Sequence, residues 1–116
     1  MTLQERCNAV EECYEFMLAY AAQGLATDAE GSPIREFLRN AVIALTGIGE
    51  VVDAGAFRVV VERDARDSLA AIELVLAQPA ISSQLIDNLN ASIHLRALLT
   101  DLFLLDEIVK LQRVTA

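Results

Sequence analysis

Long hydrophobic runs are missing from this sequence, although 54% of its 116 residues are hydrophobic. The longest apolar stretch lies in the last third of the chain and is interrupted by Thr100, Asp101, Asp106 and Glu107. A membrane-spanning helix requires about 20 consecutive apolar residues, so the sequence predicts no transmembrane segment. The first residues are polar and lack the basic and then apolar run of a secretory signal peptide.

Basic residues are scarce: nine lysines and arginines stand against 17 aspartates and glutamates, and the net charge is −8. Nucleic-acid backbones and anionic membrane surfaces repel so acidic a chain, and no basic stripe offsets the total, so neither is an expected partner. The acidic residues of the first helical pattern could bind a divalent cation or a basic partner, although such runs are usually solvated faces. They are Glu5, Glu11, Glu12 and Glu15.

Histidine and cysteine are also few. The residue three before the single histidine, His94, is Ala91 rather than the glutamate of a ferritin-like dinuclear bundle, and we expect His94 on the surface. Cys7 and Cys13 lie about 9 Å apart along one helical pattern, too far for a disulfide. Reduced cysteines fit a cytoplasmic protein. We therefore predict no catalytic site and no cofactor, and the sequence leaves metal binding open.

Two further features have structural explanations. Asp64 falls at the edge of an apolar stripe. If it is buried it needs a partner, for which Arg35, Arg39 and Arg96 are the candidates, and a half-exposed position on the flank is the alternative. The segment Gly47–Gly49 contains two glycines but lacks the lysine and the preceding strand of a phosphate-binding loop.

Helical periodicity is what the sequence has in abundance. Apolar residues recur at alternating spacings of four and three, between a capping box at Thr2, a helix start at Ser32-Pro33, and stops at Gly55 and Pro79. These signals predict one all-α domain over residues 1–116, an up-down four-helix bundle with an apolar last helix. The predicted helices span residues 3–24, 33–54, 56–78 and 83–112. The β-branched run at residues 57–61 leaves a strand as the alternative there.

The last predicted helix carries two apolar seams on nearly opposite sides, whereas a surface helix needs only one. The first seam is Ala91, Leu95, Leu98, Leu102, Leu105 and Val109; the second is Ile86, Leu89, Ile93, Ala97, Thr100, Leu104, Ile108 and Leu111. The bundle can cover one seam, and we expect a second copy of the chain to cover the other. The predicted interface residues are Leu95, Leu98, Leu102, Leu105 and Val109. The alternative is a central last helix, which leaves a monomer.

These observations favour a non-enzymatic, acidic helical bundle that acts through self-association, with a homodimer as the simplest form. Docking a helix of another protein, as an adaptor, scaffold or chaperone does, is part of the same hypothesis. The alternative is an oligomeric bundle that holds a metal or small ligand between subunits, where His94, the cysteines or acidic residues of different chains converge.

Overall fold

The computed structural model describes residues 1–115, and their side chains as far as residue 112. This part of the chain contains five α-helices, one 3-10 helix and no strand. The α-helices are α1 (Leu3–Ala21), α2 (Ile34–Leu45), α3 (Phe57–Leu76), α4 (Ser83–Ala91) and α5 (Ile93–Thr115), and the 3-10 helix is Ile48–Val51. The predicted all-α fold is confirmed. The predicted four-helix bundle is not, because the last predicted helix is two helices.

The division between α4 and α5 falls at Ser92, which has an extended backbone with φ −62° and ψ 141°. Its N–H still donates to the Leu89 carbonyl at 3.1 Å, and its hydroxyl accepts the Leu95 N–H at 3.3 Å. Serine side chains cap helix starts in this way, because they satisfy an amide that has no partner in the first turn. The single helix predicted over residues 83–112 was therefore wrong.

The second helix is also shorter than predicted, since α2 ends at Leu45 rather than near residue 54. Gly47 has a φ of +74°, a conformation that glycine adopts without strain, and it leads into the 3-10 helix. The guanidinium of Arg6 on α1 donates to the carbonyls of Ala44 and Thr46 at 3.0 and 2.7 Å. It therefore satisfies acceptors that the end of the helix leaves without amide partners.

Two other local predictions are confirmed. At the start of α1 the Thr2 hydroxyl accepts the Glu5 N–H at 3.1 Å, while the Glu5 carboxylate accepts the Thr2 N–H at 2.9 Å, which is the predicted capping box. Residues 57–61 lie in α3, so the strand alternative is excluded, and an i,i+4 ion pair joins Arg58 to Glu62 at 2.9 Å.

The helices pack around one core, with α1 against α2 and α4 and with α3 against α5. The Ser68 hydroxyl on α3 donates to the His94 carbonyl on α5 at 3.0 Å, and the Tyr20 hydroxyl on α1 donates to the Ile81 carbonyl before α4 at 2.6 Å. These bonds join elements that are distant in sequence. Large side chains that are almost completely buried include Met17, Tyr20, Ile34, Leu38, Leu45, Ile72, Ile86, Leu98 and Leu102.

A charged cluster anchors the loop before α2. The Asp28 carboxylate accepts the Arg35 Nε–H and the Ile81 N–H, both at 2.8 Å, and Arg35 also donates to the carbonyls of Leu76 and Gln78. The hydrogen bonds from Arg35 and Ile81 lower the pKa of Asp28 to about 2. This cluster therefore holds the α1–α2 loop against the segment that connects α3 to α4.

Candidate functional site

From Leu95 to Leu105 the first seam lies inside the chain's own core, whereas its first member, Ala91 in α4, is exposed. Leu95, Leu98, Leu102 and Leu105 have exposed fractions of 4%, 0%, 0% and 7%, and Val109 is half-buried. These are the residues that the sequence assigned to a partner. In the structure α3 and α1 pack against α5 and cover them, so the seam left for a partner is the opposite one.

The break at Ser92 explains how the second seam is divided. Its first two members, Ile86 and Leu89, belong to α4 and are 0% and 5% exposed. Its later members belong to α5 and point away from the bundle. Two helices with different axes can each turn one apolar face inward, whereas one straight helix cannot bury opposite faces against the same core.

We name the later members of this seam, Ile93, Ala97, Thr100, Leu104 and Ile108, the α5 outer face. Ile93 is 76% exposed, Leu104 52% and Ile108 50%, while Ala97 is half-buried. Other large exposed apolar residues lie elsewhere, such as Ile43 on α2. The outer face differs from these because its large apolar side chains recur at helical spacing along one helix, which is the pattern of a helix-binding surface.

A flank of polar residues borders the outer face. Arg96 and Glu107 are exposed on the same side of α5, about three turns apart. Between them lies Phe103, which is 45% exposed. One turn beyond Asp106, the Lys110 ammonium pairs with the Asp106 carboxylate at 3.1 Å. This flank therefore carries one cation near the start of the face and one anion near its end.

The opposite edge of the outer face carries two neighbouring carboxyls. Asp101 on α5 is 6% exposed, and its carboxyl meets that of Asp64 on α3. The sequence predicted an arginine partner only if Asp64 was buried, and in the structure Asp64 is half-buried. Arg35 is paired with Asp28, while Arg39 and Arg96 are exposed. Local sequence patterns do not predict Asp101 as the neighbour of Asp64, because only the antiparallel packing of α3 on α5 brings these two residues together.

The pKa of Asp101 is unusually high for an aspartate. Burial, followed by a hydrogen bond with Asp64 and by repulsion from it, raises the pKa of Asp101 to about 7. The Oδ2 atom of Asp101 is buried and has no hydrogen-bond donor among the described residues. Two carboxylates can only accept, so one of them must carry a proton before a hydrogen bond joins them.

The other residues considered from the sequence do not converge with this pair. His94 is exposed, as predicted, and lies two turns before Asp101 on α5. Cys7 and Cys13 are buried in the core, and burial raises the pKa of their thiols to about 11 and about 12. The reactive thiolate form is thus disfavoured at both positions.

The acidic residues of α1 are dispersed. Glu5 belongs to the capping box, Glu12 and Glu15 are exposed, and Glu11 approaches Asp106 on α5. Partial burial and then the Asp106 charge raise the pKa of Glu11. In residues 1–112, whose side chains are described, no three histidine, cysteine, aspartate or glutamate residues are grouped so that they could hold a metal ion.

Comparisons with protein-family models, with curated proteins and with solved structures found no match to this chain. Within the described part of the chain, no helix combines the length and the apolar character that crossing a bilayer requires.

Proposed function

We propose that this protein is a non-enzymatic helical bundle that acts through self-association, and that a second copy docks on the α5 outer face. The observation that carries the proposal is the exposure of Ile93, Leu104 and Ile108, each at least half exposed on one face of one helix. An apolar row of this kind on a water-exposed helix lowers its free energy when another apolar helix covers it.

The size of the face favours a reversible dimer. Burying a leucine or isoleucine side chain completely contributes about 1.5–3 kcal/mol, so covering the exposed half of one contributes about 1 kcal/mol. The three side chains of each copy then contribute roughly 6 kcal/mol in a symmetric pair. The lost translational and rotational freedom of the two copies costs about 4–15 kcal/mol. The three side chains alone therefore give at most a weak, reversible dimer, and the rest of its stability must come from other contacts across the interface.

Charge complementarity favours a second copy in antiparallel orientation as the occupant. With a two-fold axis midway between Arg96 and Glu107, each arginine lies opposite the glutamate of the other copy. The same register places Ile93 opposite the turn that contains Ile108. In a parallel pair the Arg96 flank of one copy would instead face the opposite edge of the other copy, so these ion pairs would not form. A closed two-fold pair also uses the same patch on both copies and leaves none of it open.

A double substitution on the outer face tests the proposal. Leu104→Glu with Ile108→Glu places charges where the second copy would pack, so the variant should remain folded and monomeric. The matched control is Ile43→Glu, because Ile43 is 62% exposed on α2, and α2 packs against α1 and α3. Light scattering over a concentration series should show association of the wild type and the control only. Equal masses for all three proteins at every concentration would refute the assignment of the outer face.

A helix of a different protein is the competing occupant. If the wild type is monomeric at every concentration, the second copy is excluded as the occupant of the outer face. The alternative in which subunits hold a metal or small ligand between them requires residues of different copies to converge, because no three described acidic, histidine or cysteine side chains of one copy are grouped for a metal.

A further inference from the structure

The break between α4 and α5 leaves a cleft in the angle between the two helices. Its volume is about 360 Å³, and it is lined by Asp87 and Asn90 of α4, Arg96 and Phe103 of α5, and Tyr14 of α1. Asp87 and Asn90 are three residues apart on α4, and Arg96 and Phe103 are seven apart on α5, so each pair lies on one face of its helix. Small-molecule sites usually have volumes of roughly 300–1,000 Å³. The cleft therefore has the size of a site for one small molecule.

The cleft carries one charge of each sign, and these two charges do not pair. Asp87 is exposed on α4, and Arg96 is exposed on α5. Neither side chain forms an ion pair with any residue that the structure describes. A guanidinium can bind a carboxylate through two parallel hydrogen bonds, and a carboxylate can accept hydrogen bonds from an ammonium group. The two walls of the cleft are therefore suited to the two charges of one zwitterion.

Asn90 provides an independent reason for a ligand. Its side chain is half-buried, and its Oδ1 atom is buried without a hydrogen-bond donor among the described residues. A buried acceptor that lacks a donor is unfavourable. Rotation about the terminal torsion exchanges the two ends of the amide, so the oxygen can also face the cleft. An ammonium group held beside Asp87, one turn away on the same face of α4, can donate to Asn90 as well.

The remaining part of the cleft wall is aromatic and apolar. Phe103 is 45% exposed, and Tyr14 is half-buried. Neither ring contacts another ring of the described residues, whereas Phe16 stacks on Phe37 in the core. Aromatic side chains gain free energy when a third ring packs against them in an offset or edge-to-face arrangement. A ligand with an aromatic group would therefore cover the apolar surface that both rings leave open to water.

We propose that this cleft binds a free α-amino acid with an aromatic side chain. Arg96 binds its carboxylate, and Asp87 and Asn90 bind its ammonium group. Tyr14 and Phe103 pack against its ring. The requirement for both charges selects the free amino acid, because an internal residue of a peptide has neither charge and a terminal residue has only one.

This inference goes beyond the proposed function and does not require self-association. The two proposals share Arg96, which faces Glu107 of the second copy in the antiparallel pair. A bound amino acid and the second copy therefore compete for the same guanidinium. The binding experiment is accordingly made at a protein concentration at which the monomer dominates.

The first test is a titration of the full chain with L-phenylalanine near neutral pH, followed by NMR of the amide groups. The side-chain amide signal of Asn90 and the backbone signals of Tyr14 and Phe103 should shift together and saturate. L-Phenylalaninamide lacks the carboxylate and N-acetyl-L-phenylalanine lacks the ammonium group, so each should bind at least about tenfold more weakly. Glycine keeps both charges but has no ring, and it should also bind more weakly than L-phenylalanine.

The second test removes the charges of the protein. Arg96→Gln and Asp87→Asn should each weaken the binding of L-phenylalanine by about tenfold or more. Their matched controls are Arg39→Gln on α2 and Asp53→Asn before α3, which remove exposed charges outside the cleft and should bind like the wild type. Arg96→Gln should bind L-phenylalaninamide at least as well as the wild type does, because that ligand has no carboxylate for Arg96 to hold.

Three results would overturn the proposal. One is the absence of any shift in the signals of the cleft at L-phenylalanine concentrations up to about 10 mM. Another is equal affinity for L-phenylalanine and for its amide or acetyl derivative, a comparison that needs no variant and holds even if a variant does not fold. The third is binding that both folded variants, Arg96→Gln and Asp87→Asn, leave unchanged, since the amino acid would then lie elsewhere. Self-association is measured separately by light scattering, so its failure would leave the amino-acid site standing.

Discussion

Replacing Asp101 with asparagine keeps the shape of the side chain, removes its charge and places an N–H donor beside Asp64. In the wild type the pKa of Asp101 is raised from 3.8 to about 7, first by burial and then by Asp64. A carboxyl with a raised folded-state pKa stabilises the folded protein fully below its unfolded-state pKa, and this stabilisation is lost as the pH rises to the folded-state value. The wild type should therefore lose stability between pH 3.8 and about 7 relative to Asp101→Asn.

The expected magnitude follows from the same shift. One pKa unit corresponds to about 1.4 kcal/mol, so a rise from 3.8 to about 7 sets an upper limit of about 4 kcal/mol. The two side chains can move apart when both are ionised, which reduces the difference. We expect Asp101→Asn to be more stable than the wild type by about 2–4 kcal/mol near pH 8. Near pH 4 the difference should be under about 1 kcal/mol.

Urea unfolding followed by circular dichroism measures this difference at each pH. The protein concentration should be low enough that the monomer dominates, so that association does not contribute to stability. Subtracting the wild-type value cancels groups common to both proteins, including Asp28, whose pKa is lowered. Asp53→Asn serves as the control and should follow the wild type. A difference for Asp101→Asn that is the same near pH 4 and near pH 8 would refute the shared-proton account.

Two further predictions concern single residues of α5. Leu98→Ala should lower the free energy of unfolding by about 2–5 kcal/mol, because Leu98 is 0% exposed and its truncation leaves a cavity; a loss below about 1 kcal/mol in urea unfolding would contradict the placement of the first seam in the core. His94→Ala should change the free energy of unfolding by less than about 0.5 kcal/mol, because the His94 side chain is exposed and the hydrogen bond from Ser68 goes to the His94 backbone carbonyl. A loss beyond about 2 kcal/mol would indicate a buried network at His94.

Helix starts and helix positions were predicted correctly where the residues that stabilise them are close together in the sequence. The capping box of Thr2 and Glu5 closes within four residues, so it is visible before any tertiary structure is known. The third helix was predicted correctly, because Arg58 and Glu62 pair at helical spacing and their β-branched neighbours have no partner strand. In both cases the deciding contacts are local.

The helix interruptions were missed because apolar periodicity continues across them. Ser92 can sit inside a helix or cap one, and the bundle selects the cap because α4 and α5 bury different faces. Gly47 lies inside the helix predicted over residues 33–54, but it takes a positive φ, and Arg6 from α1 satisfies the free carbonyls nearby. Both interruptions depend on packing that periodicity does not encode.

The sequence predicted only part of the candidate site, because the rest depends on how the helices pack. The two seams of the last segment indicated that one apolar row would be left exposed, but not which one, because that choice depends on which side α3 covers. The pairing of Asp64 with Asp101 depends on the register between α3 and α5, which Ser68 and His94 help to set. Charge alone indicated arginine partners for Asp64 only if it was buried.

Binding of a second copy of the chain to the α5 outer face requires that the protein self-associates. Sedimentation equilibrium of the wild type near pH 6, at concentrations from about 1 µM to about 1 mM, measures this association. We expect a mass that rises with concentration from the monomer value of 12.6 kDa towards twice that value. A constant mass of 12.6 kDa at every concentration would contradict it.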